Sequence, residues 1–347
     1  MRILIATDAW LPQVNGVVTT IVNTVREIER LGHTVGLVTH EGFRTLPCPS
    51  YPEIRLAIGP GRGVRRAIDE FRPDAVHIAT EGPLGLATRR HCLAAAMPFT
   101  TAYHTQFPEY VHARCRLPVA VTYRWLRWFH GPATAMMVAT PAIHRRLAQR
   151  KFANLAHWSR GVDTELFAPA QRTTVAGRRP VFLYAGRVAV EKNIEAFLRL
   201  DLPGTKWVVG DGPARPRLER QYPDAVFHGM QHGRELAHYF QQADVFVFPS
   251  RTDTFGLVLI EAMACGTPVA AYPVTGPVDV IREPEVGILD EDLRAAAVAA
   301  LELDRDGVRR YALQFSWAAA TRQFLGNLNL AAPGRLDDVA DVGGASS

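Results

Sequence analysis

Two acids and two cations in the C-terminal half are spaced as if to hold one charged ligand. In "PSRTDTFGLVLIEAMACGTPVA", residues 249 to 270, Asp253 precedes a stretch of helical length that Gly266 would stop, and Glu261 lies inside it. At about 1.5 Å per residue, the pair lies roughly 12 Å apart along the helix axis. A glycosidase acid and base stand about 5 to 9.5 Å apart, so a hydrolytic pair is excluded. Between the acids, the amides of Phe255, Gly256 and Leu257 form a helix N-terminus, a positive dipole end that attracts phosphate. An extended ligand with a central diphosphate and hydroxyls on either side, as in a nucleotide sugar, would reach both carboxylates. The competing reading is an Asp helix cap and a Glu on a solvated face. Arg187 and Lys192 in "GRVAVEKN" could stabilise charge on a departing diphosphate, or be ordinary loop cations. Gly210 in "VVGDGP" adds a tight turn, and Thr254 lies between Asp253 and the helix start.

Such residues need strands that end beside them. "RILIAT", "TVGLVT", "AVHIA", "FTTAY" and "AMMVAT" alternate with helical stretches in the first half. The series restarts after "APAQRTTVAGRRP" with "VFLYAG", "KWVVG", "AVFHG", "DVFVFP" and "PVAAY". The pattern predicts two doubly wound α/β domains, each binding ligand beyond the carboxyl ends of parallel strands. The tail "APGRLDDVADVGGASS" is small and polar and is expected to be disordered.

The set "GRVAVEKN", "VGDGP", "PSRTDTFGLVLIEAMACGTPVAA" and "FSWAAATRQF" resembles the family 4 retaining glycosyltransferases of GT-B architecture along nearly the whole chain. "YHTQFPEYVHAR" and "WSRGVDTELFAP" are most similar to the branch that makes glycosyl and sulfoquinovosyl diacylglycerol, with mannosyltransferases nearby. The resemblance implies two Rossmann-like domains facing a crevice: an acceptor and membrane domain over 1–165 and a donor domain over 166–315. A helix over 316–330 would cross back, and 331–347 would be the tail. It implies that Glu261 holds ribose, that Asp253 and the amides after it hold the donor sugar, and that Arg187 and Lys192 grip the diphosphate. Asp253 stands where the family usually has Glu. Gly16 in "PQVNGVV" is similar to the family's phosphate loop, with Val17 replacing its second glycine. His104, at the end of "FTTAY", would orient the sugar; Glu81 and Glu109 could touch the acceptor. No protein nucleophile stands out. The resemblance therefore implies front-face attack, in which the leaving phosphate takes the acceptor's proton. It implies no metal cofactor, and Asp290 to Asp292 and Asp304 to Asp306 read as solvated helix faces.

Net charge supplies the remaining clue. Of 347 residues, the first 165 carry 20 Lys and Arg against 12 Asp and Glu, while the rest carry 19 against 22. A basic first half suits an acidic membrane or nucleic acid, and no nucleic-acid fold signature appears. Arg124, Trp125, Arg127 and Trp128 interleave cations with aromatics, as does a peripheral membrane face, or equally a helix packing its tryptophans inward. Arg62, Arg65 and Arg66 add to the basic surface. No apolar run approaches the roughly 20 residues of a membrane helix. Four cysteines without metal-ligand spacing suit a cytoplasmic protein.

The expected function is transfer of a hexose from a nucleotide sugar, a UDP-sugar foremost, to a lipid such as diacylglycerol at the inner face of the cell membrane. A GDP-mannose-dependent α-mannosyltransferase acting on phosphatidylinositol or a polysaccharide is the alternative. A nucleotide-sugar epimerase or a non-catalytic sugar-binding module fits less of the motif set. A dinucleotide oxidoreductase lacks its G-x-G-x-x-G turn.

Overall fold

The computed structural model describes residues 1–13, 15–48, 51–109, 111, 116–173 and 178–328, with the side chains of 51–53 excepted. The C-terminal tail and Arg114 of the basic aromatic stretch lie outside the described residues.

Two six-stranded sheets carry the fold. The first contains β1 (Arg2–Ala6), β2 (Thr34–Val38), β5 (Ala75–Ile78), β6 (Thr100–Tyr103), β7 (Ala135–Val138) and β8 (Leu155–His157), in the order β2-β1-β5-β6-β7-β8. Here β1 pairs in parallel with both β2 and β5, and β5 with β6. The five predicted strands form where the apolar runs place them. The sequence reading missed the short β8 and also β3 (Thr45–Cys48) and β4 (Tyr51–Ala57), an antiparallel hairpin. Each holds a proline and neither is a clean apolar run, so the strand pattern is obscured.

The second sheet holds β9 (Val181–Ala185), β10 (Thr205–Val209), β11 (Ala225–Gly229), β12 (Val245–Phe248), β13 (Val269–Ala271) and β14 (Gly287–Leu289). Its order is β11-β10-β9-β12-β13-β14, and its pairings are parallel. Every residue of β9 and β12 is buried, because helices cover both faces. Strand order reverses between β9 and β12, and the loops that leave those two strands border the crevice where open α/β sheets bind ligands. Arg187 and Lys192 follow β9; Asp253 follows β12.

The chain separates into two compact units. One comprises Met1–Tyr103, Phe129–Met137 and residues 325 to 328; the other comprises His104–Trp128 and Val138–Phe324. His104 thus belongs to the same unit as the second sheet. In the first unit, Asp8, at the start of the loop after β1, is buried against Thr80, whose hydroxyl donates to it at 2.9 Å. Asp8 also accepts the amides of Leu84 and Gly85 at the start of a helix, Pro83–Ala94. Burial raises the Asp8 pKa, and those bonds oppose the rise.

In the second unit, the loops after β9 and β10 touch backbone to backbone. Gly210 has φ +133°, and a Cβ there would come within 1.9 Å of the Gly186 carbonyl oxygen. Amide bonds from Gly186 to Val209 and from Val188 to Asp211, both 2.9 Å, carry the β9–β10 pairing past the strand ends. Gly210→Ala is expected to cost about 3 kcal/mol or more, from backbone strain and this collision. Unchanged thermal unfolding of the variant would contradict the contact.

Candidate active site

The site grows from the loops at the reversal of the second sheet. After β9, the Tyr184 hydroxyl donates to the Arg187 carbonyl at 2.7 Å, and a short turn over Val190–Lys192 leads to Asn193 in the left-handed region. Three bonds lace this loop to the one after β12. Asn193 Nδ2 donates to the Pro249 carbonyl at 3.0 Å, and Thr252 Oγ1 donates to the Glu191 carbonyl at 3.1 Å. The third is Lys192 Nζ to Asp253 Oδ1 at 2.5 Å. Asp253 Oδ2 is buried and has no hydrogen-bond partner among the described residues.

Asp253 is therefore not a helix cap. The helix Leu257–Ala264 starts from Gly256, at φ +86°, and no side chain caps it. Of its first-turn amides, that of Leu259 bonds to the Gly256 carbonyl at 3.0 Å, while no side chain caps those of Leu257 and Val258; at the other end Arg309 Nη1 donates to the Ala264 carbonyl at 2.6 Å. Phe255 points inward, edge-on to Phe315 at 6.2 Å between ring centroids, so only its backbone can serve a ligand. Glu261, a turn and more into the helix, keeps part of its surface accessible. The surrounding protein nevertheless pushes its carboxyl up to about 7 by desolvation.

His104 is held by the same loop. Its carbonyl accepts the Thr254 hydroxyl at 2.7 Å, and Thr140 Oγ1 lies 3.4 Å from the Thr254 carbonyl. Gln106 Nε2 donates to the Asp253 carbonyl at 3.1 Å, and Arg146 holds Gln106 Oε1 at 2.5 Å. The His104 ring meets Arg160 Nη2 at 3.2 Å through Nδ1 and stands edge-on to Trp158. Gln106, Arg146 and Arg160 carried no signal of their own in the sequence, because their partners lie 40 or more residues away.

Several expected site residues also have partners within the protein. Glu109 Oε1 is engaged by Arg146 at 2.5 Å and by the Tyr123 hydroxyl at 2.9 Å, and its Oε2 is buried with no hydrogen-bond partner among the described residues. In the other unit, Glu81 lies 3.3 Å from buried His130. Gly16 is the first residue of the helix Gly16–Arg30, and the side chain of Asn15 takes the amides of Val17 and Val18. A phosphate there would have to compete with that cap. Asp292 and Asp304 cap the N-termini of the helices Leu293–Ala299 and Arg305–Ala312, which accounts for both acidic triples.

The basic aromatic helix, Val119–His130, divides its residues between two faces. Tyr123, Leu126 and Phe129 are buried, and Arg127 donates to the Arg150 carbonyl at 3.2 Å. Trp125 is half-buried and packs on Phe107. Arg124 is exposed, Trp128 is 54% exposed, and Leu117 and Val121 are also on the surface. Arg62 is exposed as well, but Arg65 and Arg66 face Asp69 and Glu70 one turn on, which partly cancels the patch. Among the described residues no helix is long and apolar enough to cross a membrane.

Comparison with known proteins bears on this geometry. A family model described as Glycosyltransferase Family 4 matches residues 14–166, and one described as Glycosyl transferases group 1 matches residues 179–306. A GDP-mannose-dependent alpha-mannosyltransferase of Mycobacterium tuberculosis is 31% identical, over 94% of this chain and 96% of its own. The sulfoquinovosyl transferase of Arabidopsis thaliana is 32% identical over 76% of this chain and 58% of its own. An alpha-monoglucosyldiacylglycerol synthase of Streptococcus pneumoniae is 28% identical over 87% of this chain and 78% of its own. Among solved structures, a sucrose-phosphate synthase from Thermosynechococcus elongatus superposes with TM-score 0.76 at 21% identity, covering 94% of this chain and 97% of its own.

The raised Glu261 carboxyl has a measurable consequence. The folded protein holds this proton more tightly than the unfolded chain, so its stabilising contribution is full below the ordinary 4.5 and is lost as pH rises through about 7. Glu261→Gln should flatten that fall, leaving the ligand-free variant more stable than the wild type at pH 8. Unfolding temperatures measured from pH 5 to 8 check this; parallel curves would refute the assignment.

Proposed function

Because this chain belongs to the family 4 glycosyltransferases and has the GT-B fold, we propose that it moves a hexose, with retention of anomeric configuration, from a nucleotide sugar to a lipid acceptor at an anionic membrane surface. The observation that carries the reading is the Lys192–Asp253 pair beside an uncapped helix N-terminus, with Glu261 farther along the same helix. The open amides and the two cations suit a diphosphate. The buried second oxygen of Asp253 suits a sugar hydroxyl, and Glu261 suits the ribose. Attraction between Lys192, Arg187 and the diphosphate grows as the glycosidic bond to phosphate breaks, which lowers the barrier. The acceptor's oxygen bonds to the anomeric carbon from the face that the phosphate leaves, and its proton passes to a phosphate oxygen.

For the donor, GDP-mannose is the first choice. Support comes from the mannosyltransferase relative, which this chain matches along almost its full length. A UDP-hexose passed to diacylglycerol is the second reading, favoured by the diacylglycerol glucosyltransferase relative. For the membrane, the support is the outer face of Val119–His130. There Arg124 lies beside exposed Leu117, Val121 and Trp128, a combination suited to the interface of an acidic bilayer at the inner face of the cell membrane.

A panel of labelled GDP-mannose and UDP-glucose, offered with vesicles containing phosphatidylinositol or diacylglycerol, tests the whole. Label should enter lipid from one donor. Soluble product alone would overturn the lipid acceptor, and epimerised donor without transfer would overturn the reaction class. Lys192→Ala and Arg187→Ala should each lower kcat by about 10² or more while changing KM less, with activity retained in EDTA. A loss confined to KM, or strict dependence on added magnesium or manganese, would contradict the electrostatic account. In flotation assays the wild type should rise with acidic vesicles at low salt, and Arg124→Glu should weaken that association while sparing donor binding. Wild-type protein that stays in the soluble fraction would refute the membrane reading.

A further inference from the structure

Arg160 is a buried cation. It is 4% exposed, and among the described residues it pairs with no acid. Its Nη1 donates to the carbonyls of Trp158 at 2.6 Å and Ser159 at 2.9 Å, and its guanidinium lies 4.4 Å above the Trp158 ring. Burial lowers it to about 9. An arrangement this costly to the charge is kept rigid by its surroundings. A Cβ on the neighbouring Gly161 would come within 2.2 Å of the Trp317 amide nitrogen, and the Val162 amide donates to the Phe315 carbonyl at 3.0 Å.

The Nη2 of this group lies 3.2 Å from His104 Nδ1. A guanidinium has donors and no acceptor, so in this contact Nδ1 must accept. The proton of the imidazole then sits on Nε2. We propose that Arg160 is a positioning residue that fixes His104 as the Nε2–H tautomer, so that His104 orients the donor sugar as a hydrogen-bond donor and is not the base that takes the acceptor's proton. The proposal rests on the reading that places His104 at the reaction centre. With one ring nitrogen protonated and the other occupied by Arg160, the ring has no lone pair to offer the acceptor. The acceptor's O–H bond breaks as its oxygen joins the anomeric carbon, the bond from that carbon to phosphate breaks, and the proton ends on a phosphate oxygen. Thr254 holds the His104 carbonyl and Trp158 stands edge-on to its ring, so both the backbone and the ring plane are set before a ligand arrives.

Full-length protein labelled with 15N-histidine tests this directly. The His104 signals are identified by their loss in His104→Gln, and two-bond proton–nitrogen correlations report which ring nitrogen is protonated. The wild type should show an unprotonated Nδ1 and a protonated Nε2. Arg160→Lys, which keeps a donor, should retain that pattern. Arg160→Met keeps the apolar stem against Trp158 but should mix the tautomers and lower kcat about tenfold or more, with a smaller change in donor KM. If the Met variant does not fold, the wild-type and Lys spectra still decide. A protonated Nδ1 in the wild type, or an Arg160→Met protein with unchanged tautomer and kcat, overturns the proposal and leaves the glycosyltransferase reading intact. Unchanged turnover in His104→Gln overturns it through the reading it rests on.

Discussion

The loop that carries Arg187 and Lys192 keeps its shape because two glycines let backbone lie on backbone. Gly186 and Gly210 end neighbouring parallel strands, and their loops continue the ladder of amide bonds where side chains would force them apart. That contact fixes the path of the chain toward Lys192. From there Asn193, Thr252 and the Lys192–Asp253 pair bind the loop after β9 to the loop after β12. Thr254 and Gln106 extend the same hold to the segment that begins at His104. The candidate site is thus made of irregular backbone whose shape depends on close packing at the strand ends.

The electrostatics of this unit are uneven in a way that suits an anionic ligand. Away from the site, Asp244 is answered by Arg172 and Arg179, and the carbonyls of Phe167 and Ala264 by Arg309. At the site, the start of Leu257–Ala264 has no side-chain cap, Glu261 sits where its charge is poorly solvated, and one oxygen of Asp253 has no donor. Each omission costs folding free energy. The same helix has no side-chain cap at its start and an arginine on the Ala264 carbonyl at its other end, which leaves its positive dipole end unanswered by side chains.

The two-faced character of Val119–His130 shows how one stretch can satisfy two readings of the sequence. A helix that buries Tyr123, Leu126 and Phe129 while exposing Arg124 and Trp128 is both a packed core element and an amphipathic surface. Arg127 illustrates the division, since its charge goes to the Arg150 carbonyl instead of the solvent.

The sequence by itself determined β1, β2, β5 to β7 and β9 to β13, because buried parallel strands are apolar runs that side-chain type alone declares. It likewise determined the α/β class and the position of the acid and cation motifs just after those runs. Chain-local chemistry, such as Gly266 ending a helix, was also readable. The β3–β4 hairpin was not, because each of its strands holds a proline and neither is a clean apolar run, and the three-residue β8 and β14 were too short to stand out. Nor could sequence tell that Asp253 pairs with Lys192 instead of capping a helix, that Glu109 is engaged by Arg146, or that Arg160 reaches the ring of His104. Those are contacts between residues 37 to 61 positions apart, and no periodicity or spacing rule links them. Only the order in which parallel strands assemble, and the loops this brings side by side, decides which charge meets which.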